Sequence, residues 1–245
     1  MPFTFAHPAI VLPLYRLRQY FSLTGLIIGS MSPDFEYFLH MRIINHYGHE
    51  FSGLFSFNIL TSIIVAFLFH HIIRNPLLDN LPSFLYQRLA RYKSFNWSIY
   101  FRQHYLLVIF SILIGGLSHL FWDAFTHPNG FFVTHFVWPQ TKLQVGSTLT
   151  LPWYKILQHG SSLIGMSCIF CFILLLPKVV LPAHHINPNY WLTLAMLTIL
   201  IMIIQVFIFY SNGLLIGNLI ATTIMALFIS LNLTAILFDY TQKHH

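Results

Sequence analysis

With 245 residues, of which 56% are hydrophobic and only 7% charged, this chain cannot build the surface of a water-soluble domain, which normally carries about a quarter charged residues. Its net charge of +6 comes from scattered lysines and arginines, without the basic run and interleaved aromatics of a nucleic-acid groove. The two cysteines, Cys168 and Cys171, lie within an apolar run, which excludes a disulfide framework and a four-cysteine metal site. The composition therefore predicts a membrane protein.

The amino-terminal region has the pattern of mature sequence and not that of a cleaved signal peptide. It begins without a cationic segment, and Arg16 and Arg18 interrupt what would be the apolar core of a signal. Residues 8–31 form a broken apolar segment with Gly25 and Gly29 in its second half. We interpret this segment as two short helices, interfacial or re-entrant, packed on a bundle.

Five later stretches are apolar enough to cross a bilayer, whose hydrocarbon core requires about 20 mostly apolar residues in a helix. They cover approximately residues 51–73, 103–127, 157–181, 189–210 and 213–238. The predicted fold is all-α, a polytopic transmembrane helix bundle that forms a single membrane domain over residues 1–245. Within it, region 1–50 carries amino-terminal motifs, region 51–181 carries three spans with His and Asp motifs, and region 182–245 carries two spans without motifs.

The basic residues predict an orientation, because short cytoplasmic loops are enriched in Lys and Arg. The most basic loop lies between the first two stretches and contains Arg74, Arg88, Arg91, Lys93 and Arg102. A cytoplasmic position for this loop places the carboxyl terminus in the cytoplasm and the 128–156 loop outside. Within the basic loop, residues 81–92 have leucines and Phe84 at helical spacing, which suits a helix lying on the membrane surface.

The second stretch contains three polar residues that are costly inside a membrane. His119, Asp123 and His127 are four residues apart, so they share one face of a helix. Two imidazoles and a carboxylate on one face can bind a divalent metal. Pro128 predicts that the helix ends at His127, near a membrane edge. The alternative is that these side chains only form polar contacts between helices.

The predicted topology places other histidines at the same membrane edge. His49 precedes the first stretch, His127 ends the second, and His159 opens the third. Other histidines, among them His70 and His104, fall at the opposite edge, so a shared edge does not by itself define a site.

Two amino-terminal residues can complete the cluster. Pro8 suits the first position of a helix, which leaves His7 at the helix cap. Asp34 follows Ser32 and Pro33, a combination typical of a helix start. The alternative for Asp34 is that an acid in a first helical turn complements the helix dipole without any metal.

Five sequence blocks carry a family resemblance. In chain order they are Met1-Pro-Phe-Thr-Phe-Ala-His7, Gly29-Ser-Met-Ser-Pro-Asp34, Gly48-His-Glu-Phe-Ser-Gly-Leu54, Ser118-His-Leu-Phe-Trp-Asp-Ala-Phe-Thr-His127 and Leu157-Gln-His-Gly-Ser-Ser162. Together they resemble a bacterial membrane family, the one labelled domain of unknown function 4184. The combination in this order is specific and extends over roughly the first two thirds of the chain.

A more distant resemblance runs to inner-membrane metal-dependent hydrolases of the YdjM type and to zinc-dependent phospholipase C. It implies a divalent metal, with zinc first and manganese or iron as alternatives, and Asp34 or Asp123 as catalytic base. The matching metal ligands are His7, Asp34, His49, His119 and Asp123. The chain lacks the mature amino-terminal tryptophan ligand of the soluble phospholipases. His127 and His159 match only the closer family and are further site candidates.

Three functions remain open. The first is a membrane-embedded hydrolase of a phosphoester or acyl ester, acting on an amphipathic substrate such as a phospholipid or polyprenyl phosphate. The second is a non-catalytic scaffold or partner-binding protein. The third is a proton-coupled transporter with His119, Asp123 and His159 as a relay. In each case we expect a multi-pass protein of the bacterial inner membrane, with the polar cluster on the outer face and no nucleic-acid partner.

Overall fold

The described chain is largely helical, as its apolar stretches predict. The structure, a computed structural model, describes residues 3–145, 149–180, 185–209 and 215–243. Within these residues, five helical segments are long and apolar enough to cross a membrane, which confirms the predicted class of polytopic helical membrane protein. We call them spans 1 to 5, and they cover Phe51–Leu78, Trp97–His135, Trp153–Leu175, Pro188–Ile208 and Ile216–Asp239.

The amino-terminal region folds into short helical pieces. In chain order they are the 3₁₀ turn Thr4–Ala6, the α-helix Pro8–Val11, the 3₁₀ segment Leu12–Leu17, the α-helix Leu23–Gly29, the 3₁₀ turn Ser32–Asp34 and the α-helix Phe35–His40. Pro8 is at the first helical position and His7 at the cap, as predicted. Ser32 and Pro33 begin the 3₁₀ turn that contains Asp34, and the Ser32 hydroxyl donates to the Gly29 carbonyl oxygen over 2.9 Å.

Span 1 alternates between two helical geometries. Its α-helical parts are Phe51–Gly53, Ile59–Leu68 and Arg74–Leu78, and its π-helical turns are Leu54–Asn58 and Phe69–Ile73. It continues beyond the expected end near residue 73 because the Arg74 guanidinium donates to the carbonyl oxygens of Phe95 and Lys93, over 2.7 and 2.9 Å. These hydrogen bonds satisfy a cation that would otherwise be costly within an apolar helix.

The other elements follow the predicted order, with one addition. The long helices are Trp97–Thr126, Trp153–Leu175, Pro188–Phe209 and Ile216–Lys243. The expected helix in the basic loop is present as Ser83–Leu89 with the 3₁₀ turn Ala90–Tyr92. The short helix Phe131–His135 ends span 2, and the 3₁₀ turn Trp138–Gln140 then leads into an antiparallel hairpin of strands Lys142–Val145 and Leu149–Pro152.

The chain divides into two compact units. The first comprises Met1–Asp34, Tyr47–Ile63 and His104–Phe172, and the second comprises Phe35–His46, Ile64–Gln103 and Ile173–His245. In the second unit, spans 4 and 5 pack together, and Tyr37 and Phe38 form a small core with Ala221. Every candidate metal ligand lies in the first unit.

Close backbone contact fixes the Leu23–Gly29 helix against span 2 in the first unit. A Cβ atom at Gly25 would lie 2.8 Å from the carbonyl oxygen of Val108. A Cβ atom at Gly115 would lie 2.5 Å from the Leu26 carbonyl oxygen and 2.6 Å from the Ser30 nitrogen. Small residues spaced four apart commonly permit such contacts between membrane helices. The segment after this helix, which leads to Asp34, is thereby held beside span 2.

We predict that Gly115→Ala lowers the thermal unfolding temperature of the detergent-purified protein. Alanine normally stabilises a helix interior by about 1 kcal/mol relative to glycine. Here the new methyl group would meet backbone atoms, and overpacking of this kind costs about 1–3 kcal/mol. Gly160→Ala on span 3 is the matched control, because no described atom lies within 4 Å of its Cβ position. Equal unfolding temperatures for both variants would contradict the close contact.

Candidate metal centre

Four segments of the first unit bring the candidate side chains together. His119 and Asp123 lie one turn apart on span 2 and so share a face. His7 comes from the amino-terminal turns, Asp34 from the turn after the helix that packs on span 2, and His49 from the loop just before span 1. Residues far apart in the chain therefore meet at one buried cluster.

Four nitrogen–oxygen distances within this cluster are close to the spacing of neighbouring ligands around a metal ion. Nε2 of His49 lies 3.4 Å from Asp34 Oδ1 and 3.5 Å from Asp123 Oδ2. Nε2 of His119 lies 3.7 Å from Asp34 Oδ1 and 3.3 Å from Asp123 Oδ2. Zinc bonds of about 2.0–2.1 Å place neighbouring ligands of a tetrahedron about 3.4 Å apart. The observed distances are close to that value.

Asp123 turns its other oxygen toward two further histidines. Oδ1 lies 3.7 Å from His7 Nε2 and 3.4 Å from His127 Nδ1. The ring of His7 stacks on that of His119, with centroids 3.7 Å apart. The predicted common face of His119, Asp123 and His127 is confirmed. Two overlapping groups could hold a metal: Asp34, His49 and His119, and His7, His119 and Asp123.

A hydrogen bond fixes the orientation of His119. Its Nδ1 lies 2.7 Å from the carbonyl oxygen of Ser30. Because a carbonyl only accepts, Nδ1 carries a proton and Nε2 is directed at the carboxylates. Histidines that bind metals usually donate from the second ring nitrogen in this way. The close packing at Gly115 places the Ser30 backbone beside span 2.

The cluster contains buried polar atoms that, among the described residues, have no hydrogen-bond partner. They are both ring nitrogens of His7, Oδ1 of Asp34, Nε2 of His119 and both carboxylate oxygens of Asp123. Such an atom costs about 1–3 kcal/mol, and more when it is charged. Imidazole nitrogens and carboxylate oxygens are ligands for zinc, manganese and iron. The residues present therefore fit a divalent metal ion.

The protonation states of His7, Asp34 and His49, which lie outside the spans, depend on burial and on the neighbouring charged groups. Burial raises the pKa of Asp34, but His119 and His49 outweigh it and hold this pKa below its ordinary value. Burial lowers the pKa of His49, yet the carboxylates of Asp123 and Asp34 raise it overall to about 9. Burial and the neighbouring His119 lower the pKa of His7 to about 3. At neutral pH Asp34 is thus ionised, His7 is neutral and His49 carries a proton.

The cluster opens on one side. The side chains of His7, Asp34 and His119 are at most 1% exposed, whereas those of His49 and His127 are 18% and 26% exposed. The opening of the centre is therefore lined by His49 and His127.

The loop that carries His49 is anchored by span 1. The buried Asn58 side chain donates from Nδ2 to the Gly48 carbonyl oxygen over 3.0 Å. Gly53 packs so closely on the carbonyl of Tyr47 that a side chain there would clash with the backbone. The block around His49 was recognised in the sequence, but the role of Asn58 was not. No local pattern distinguishes this asparagine from other polar residues in an apolar helix.

Span 3 holds the amino-terminal turns in place. The Phe3 backbone nitrogen donates to the Ser162 hydroxyl over 2.9 Å. A Cβ atom at Gly165 would lie 2.9 Å from the Ala6 carbonyl oxygen, so the backbone before His7 packs directly on this helix.

The same helix contacts span 2 but does not bring its own histidine into the cluster. Trp122 Nε1 donates to the Ser161 hydroxyl over 3.0 Å. His159 is exposed and belongs to neither of the two metal-holding groups. The serines of the predicted 157–162 block thus contact other segments of the first unit, whereas a role for His159 stays a prediction.

These features define a multi-pass helical membrane protein with a buried cluster of histidine and aspartate side chains. The family model described as a domain of unknown function, DUF4184, matches residues 1–236, and the chain belongs to this family. Neither the search of curated proteins nor that of solved structures found a match. The family predicted from the motif blocks is confirmed, whereas the more distant likeness to YdjM-type hydrolases and phospholipase C stays a prediction.

We predict that the zinc affinity of the purified protein rises with pH and levels off above about pH 9. Zinc must displace the proton from His49, whose pKa is raised to about 9, whereas His7 is already neutral. Displacement of one proton strengthens apparent binding by up to about tenfold per pH unit below that pKa. Competition with a chromophoric chelator between pH 6.5 and 9.5 measures the slope. A constant affinity over this range would show that His49 does not bind as a neutral ligand.

Proposed function

We propose that this protein is a membrane-embedded, metal-dependent hydrolase. The observation that best supports the proposal is that Nε2 of His49 and Nε2 of His119 each lie 3.3–3.7 Å from a carboxylate oxygen of Asp34 and of Asp123. If these side chains served only as polar contacts between helices, their buried atoms should be hydrogen-bonded to one another. Instead, Asp34 Oδ1 and both Asp123 oxygens face histidine nitrogens at 3.3–3.7 Å, without the geometry of a hydrogen bond within the described residues. A metal centre accounts for this geometry better than a scaffold role.

Zinc is the proposed metal, with manganese or iron as alternatives. A bound divalent cation supplies Lewis acidity, which polarises a phosphoryl or acyl carbonyl oxygen and makes water a stronger nucleophile near neutral pH. Asp34, His49 and His119 are the proposed ligands, and the His7 ring packs behind His119.

Asp123 is the better placed of the two candidate bases. Its side chain is 9% exposed, whereas that of Asp34 is 1% exposed. In our proposal Asp123 Oδ2, which faces His49 and His119, would help to hold the cation, and Oδ1 would accept the proton of the attacking water. His127 at the opening lies 3.4 Å from that second oxygen and helps to hold it in place.

The proposed substrate is amphipathic, either a phospholipid or a polyprenyl phosphate. The helix that carries Asp123 ends at Thr126, and exposed aromatic side chains follow at Phe131, Phe136 and Trp138. Aromatic residues are enriched at the boundary between membrane and water. A centre close to this helix end would meet the head group of a lipid while the hydrocarbon chain stays in the bilayer.

We further propose a bacterial inner-membrane location with the centre on the outer face and the carboxyl terminus in the cytoplasm. Arg88, Arg91 and Lys93 between spans 1 and 2 favour a cytoplasmic loop. In a background without Cys168 and Cys171, we predict that Gln144→Cys reacts with an impermeant maleimide in intact spheroplasts. Ser94→Cys should react only after permeabilisation, since it lies in the basic loop. The reverse labelling pattern would refute this orientation.

The central test measures metal content and hydrolysis on the same samples. We expect wild type in mixed micelles to contain at least one zinc, manganese or iron and to cleave a phospholipid or polyprenyl phosphate. Chelation should abolish cleavage. Asp123→Asn should reduce cleavage by about 10²-fold or more, because the proposed base is lost. It should also reduce the metal content measured by elemental analysis.

Two control variants should behave like wild type. Asp79→Asn removes a carboxylate that pairs with Lys93 in the second unit. His159→Ala removes the exposed histidine, and loss of metal in this variant would add His159 to the centre. A folded wild type without stoichiometric metal would refute the metal centre. Bound metal without cleavage of any lipid tested would refute the enzyme and favour a metal-binding scaffold.

A further inference from the structure

The buried hydroxyl of Thr4 has a specific partner in the cluster. Thr4 is 3% exposed and lies in the 3₁₀ turn Thr4–Ala6, three residues before His7. Its Oγ1 donates a short hydrogen bond to Oδ2 of Asp34, thirty positions further along the chain.

The two oxygens of Asp34 therefore have different surroundings. Oδ2 accepts from Thr4, whereas Oδ1 lies 3.4 Å from His49 Nε2 and 3.7 Å from His119 Nε2. A carboxylate without such a partner can rotate and offer both oxygens to a cation. The hydrogen bond occupies one oxygen and leaves the other directed at the imidazoles.

We propose that Thr4 is a positioning residue that restricts Asp34 to binding the metal through Oδ1 alone. This inference rests on the proposed metal centre. Outer hydrogen-bond partners of this kind orient ligands, and their loss typically weakens metal binding about 10–100-fold. The same turn leads directly to His7, so one hydrogen bond couples the position of the amino-terminal turn to that of a ligand on a different segment.

The restriction has a consequence for the choice of metal. Binding through one oxygen keeps the number of ligands low, as four-coordinate zinc requires. Binding through both oxygens of a carboxylate suits larger ions with more ligands, such as calcium. Thr4 thus favours a small, low-coordinate site over an expanded one.

The test compares variants at Thr4 in the full-length protein in detergent. Thr4→Val removes the hydroxyl and keeps a side chain of nearly the same volume. Thr4→Ala removes the hydroxyl and leaves a smaller side chain, whereas Thr4→Ser retains the hydroxyl. Zinc affinity is measured by chelator competition, and coordination is followed by the visible absorption of the cobalt(II)-substituted protein. We expect Thr4→Val and Thr4→Ala to bind zinc about 10–100-fold more weakly than wild type.

The spectrum separates positioning from a general loss of stability. In Thr4→Val and Thr4→Ala, Asp34 is free to bind through both oxygens, so the intense absorption of four-coordinate cobalt should weaken. Thr4→Ser should match wild type in affinity, within about threefold, and in spectrum. Thr198→Val in the second unit is the control, because it also removes a buried threonine hydroxyl, one that donates to the backbone carbonyl oxygen of Leu194 and not to a carboxylate. It should leave both measurements unchanged.

The outcomes distinguish this inference from the proposed function. If wild type binds neither zinc nor cobalt, the metal centre itself fails and the role of Thr4 fails with it. If wild type binds both but Thr4→Val and Thr4→Ala keep its affinity and spectrum, only the positioning role is overturned. A loss of the same size in Thr4→Ser or Thr198→Val would overturn it as well, because the hydroxyl at this position would not be the cause.

Discussion

The burial of two carboxylates, Asp34 and Asp123, is the constraint on which the first unit depends. Removing an ionised carboxylate from water costs several kcal/mol even after the surroundings relax, unless partners compensate. The compensation comes from His49 and His119, whose nitrogens lie within 3.3–3.7 Å of both groups. His49 lies in the loop before span 1 and His119 lies on span 2. Burial of the two carboxylates therefore requires these segments to pack against each other. The packing of the first unit and the choice of residues in its cluster therefore depend on each other.

Glycines allow these segments to pack with their backbones in direct contact. At Gly25 and Gly115, the helix before Asp34 lies so close to span 2 that no side chain would fit between them. At Gly165, span 3 meets the backbone just before His7. In the membrane, apolar side chains gain little by leaving lipid for protein, so close packing and hydrogen bonds must supply the association. Groups next to these contacts accept hydrogen bonds: the Ser30 carbonyl oxygen from His119 Nδ1, and the Ser162 hydroxyl from the Phe3 backbone nitrogen.

The sequence allowed the spans and most of the cluster to be predicted, for different physical reasons. The spans can be predicted because about 20 consecutive apolar residues favour transfer from water into the bilayer, and such a stretch is visible in the sequence. Their ends were less predictable, because Arg74 extends span 1 only by reaching carbonyl oxygens of residues 93 and 95. The shared face of His119, Asp123 and His127 follows from helical periodicity alone.

Other features depend on contacts between distant segments, which a single sequence does not contain. Thr4 and Asn58 have recognisable partners only once the turns and loops are placed. The predicted position of His159 near the start of span 3 indicated its membrane edge but not the direction of its side chain, which is exposed. The hairpin before span 3 went unpredicted because its alternating residues were interpreted only as a loop.

The contact between the amino-terminal turns and span 3 also has a consequence for biogenesis. The first residue of the cluster to leave the ribosome is His7, but its turn contacts Ser162 and Gly165, which are synthesised more than 150 residues later. Until span 3 is inserted, the turn before His7 lacks its contacts with Ser162 and Gly165. Span 2, which carries Asp123, enters the bilayer before these contacts can form. The packing of the turn that carries His7 is therefore completed only once span 3 is present. Closure of the cluster is one of the last steps in assembling the first unit.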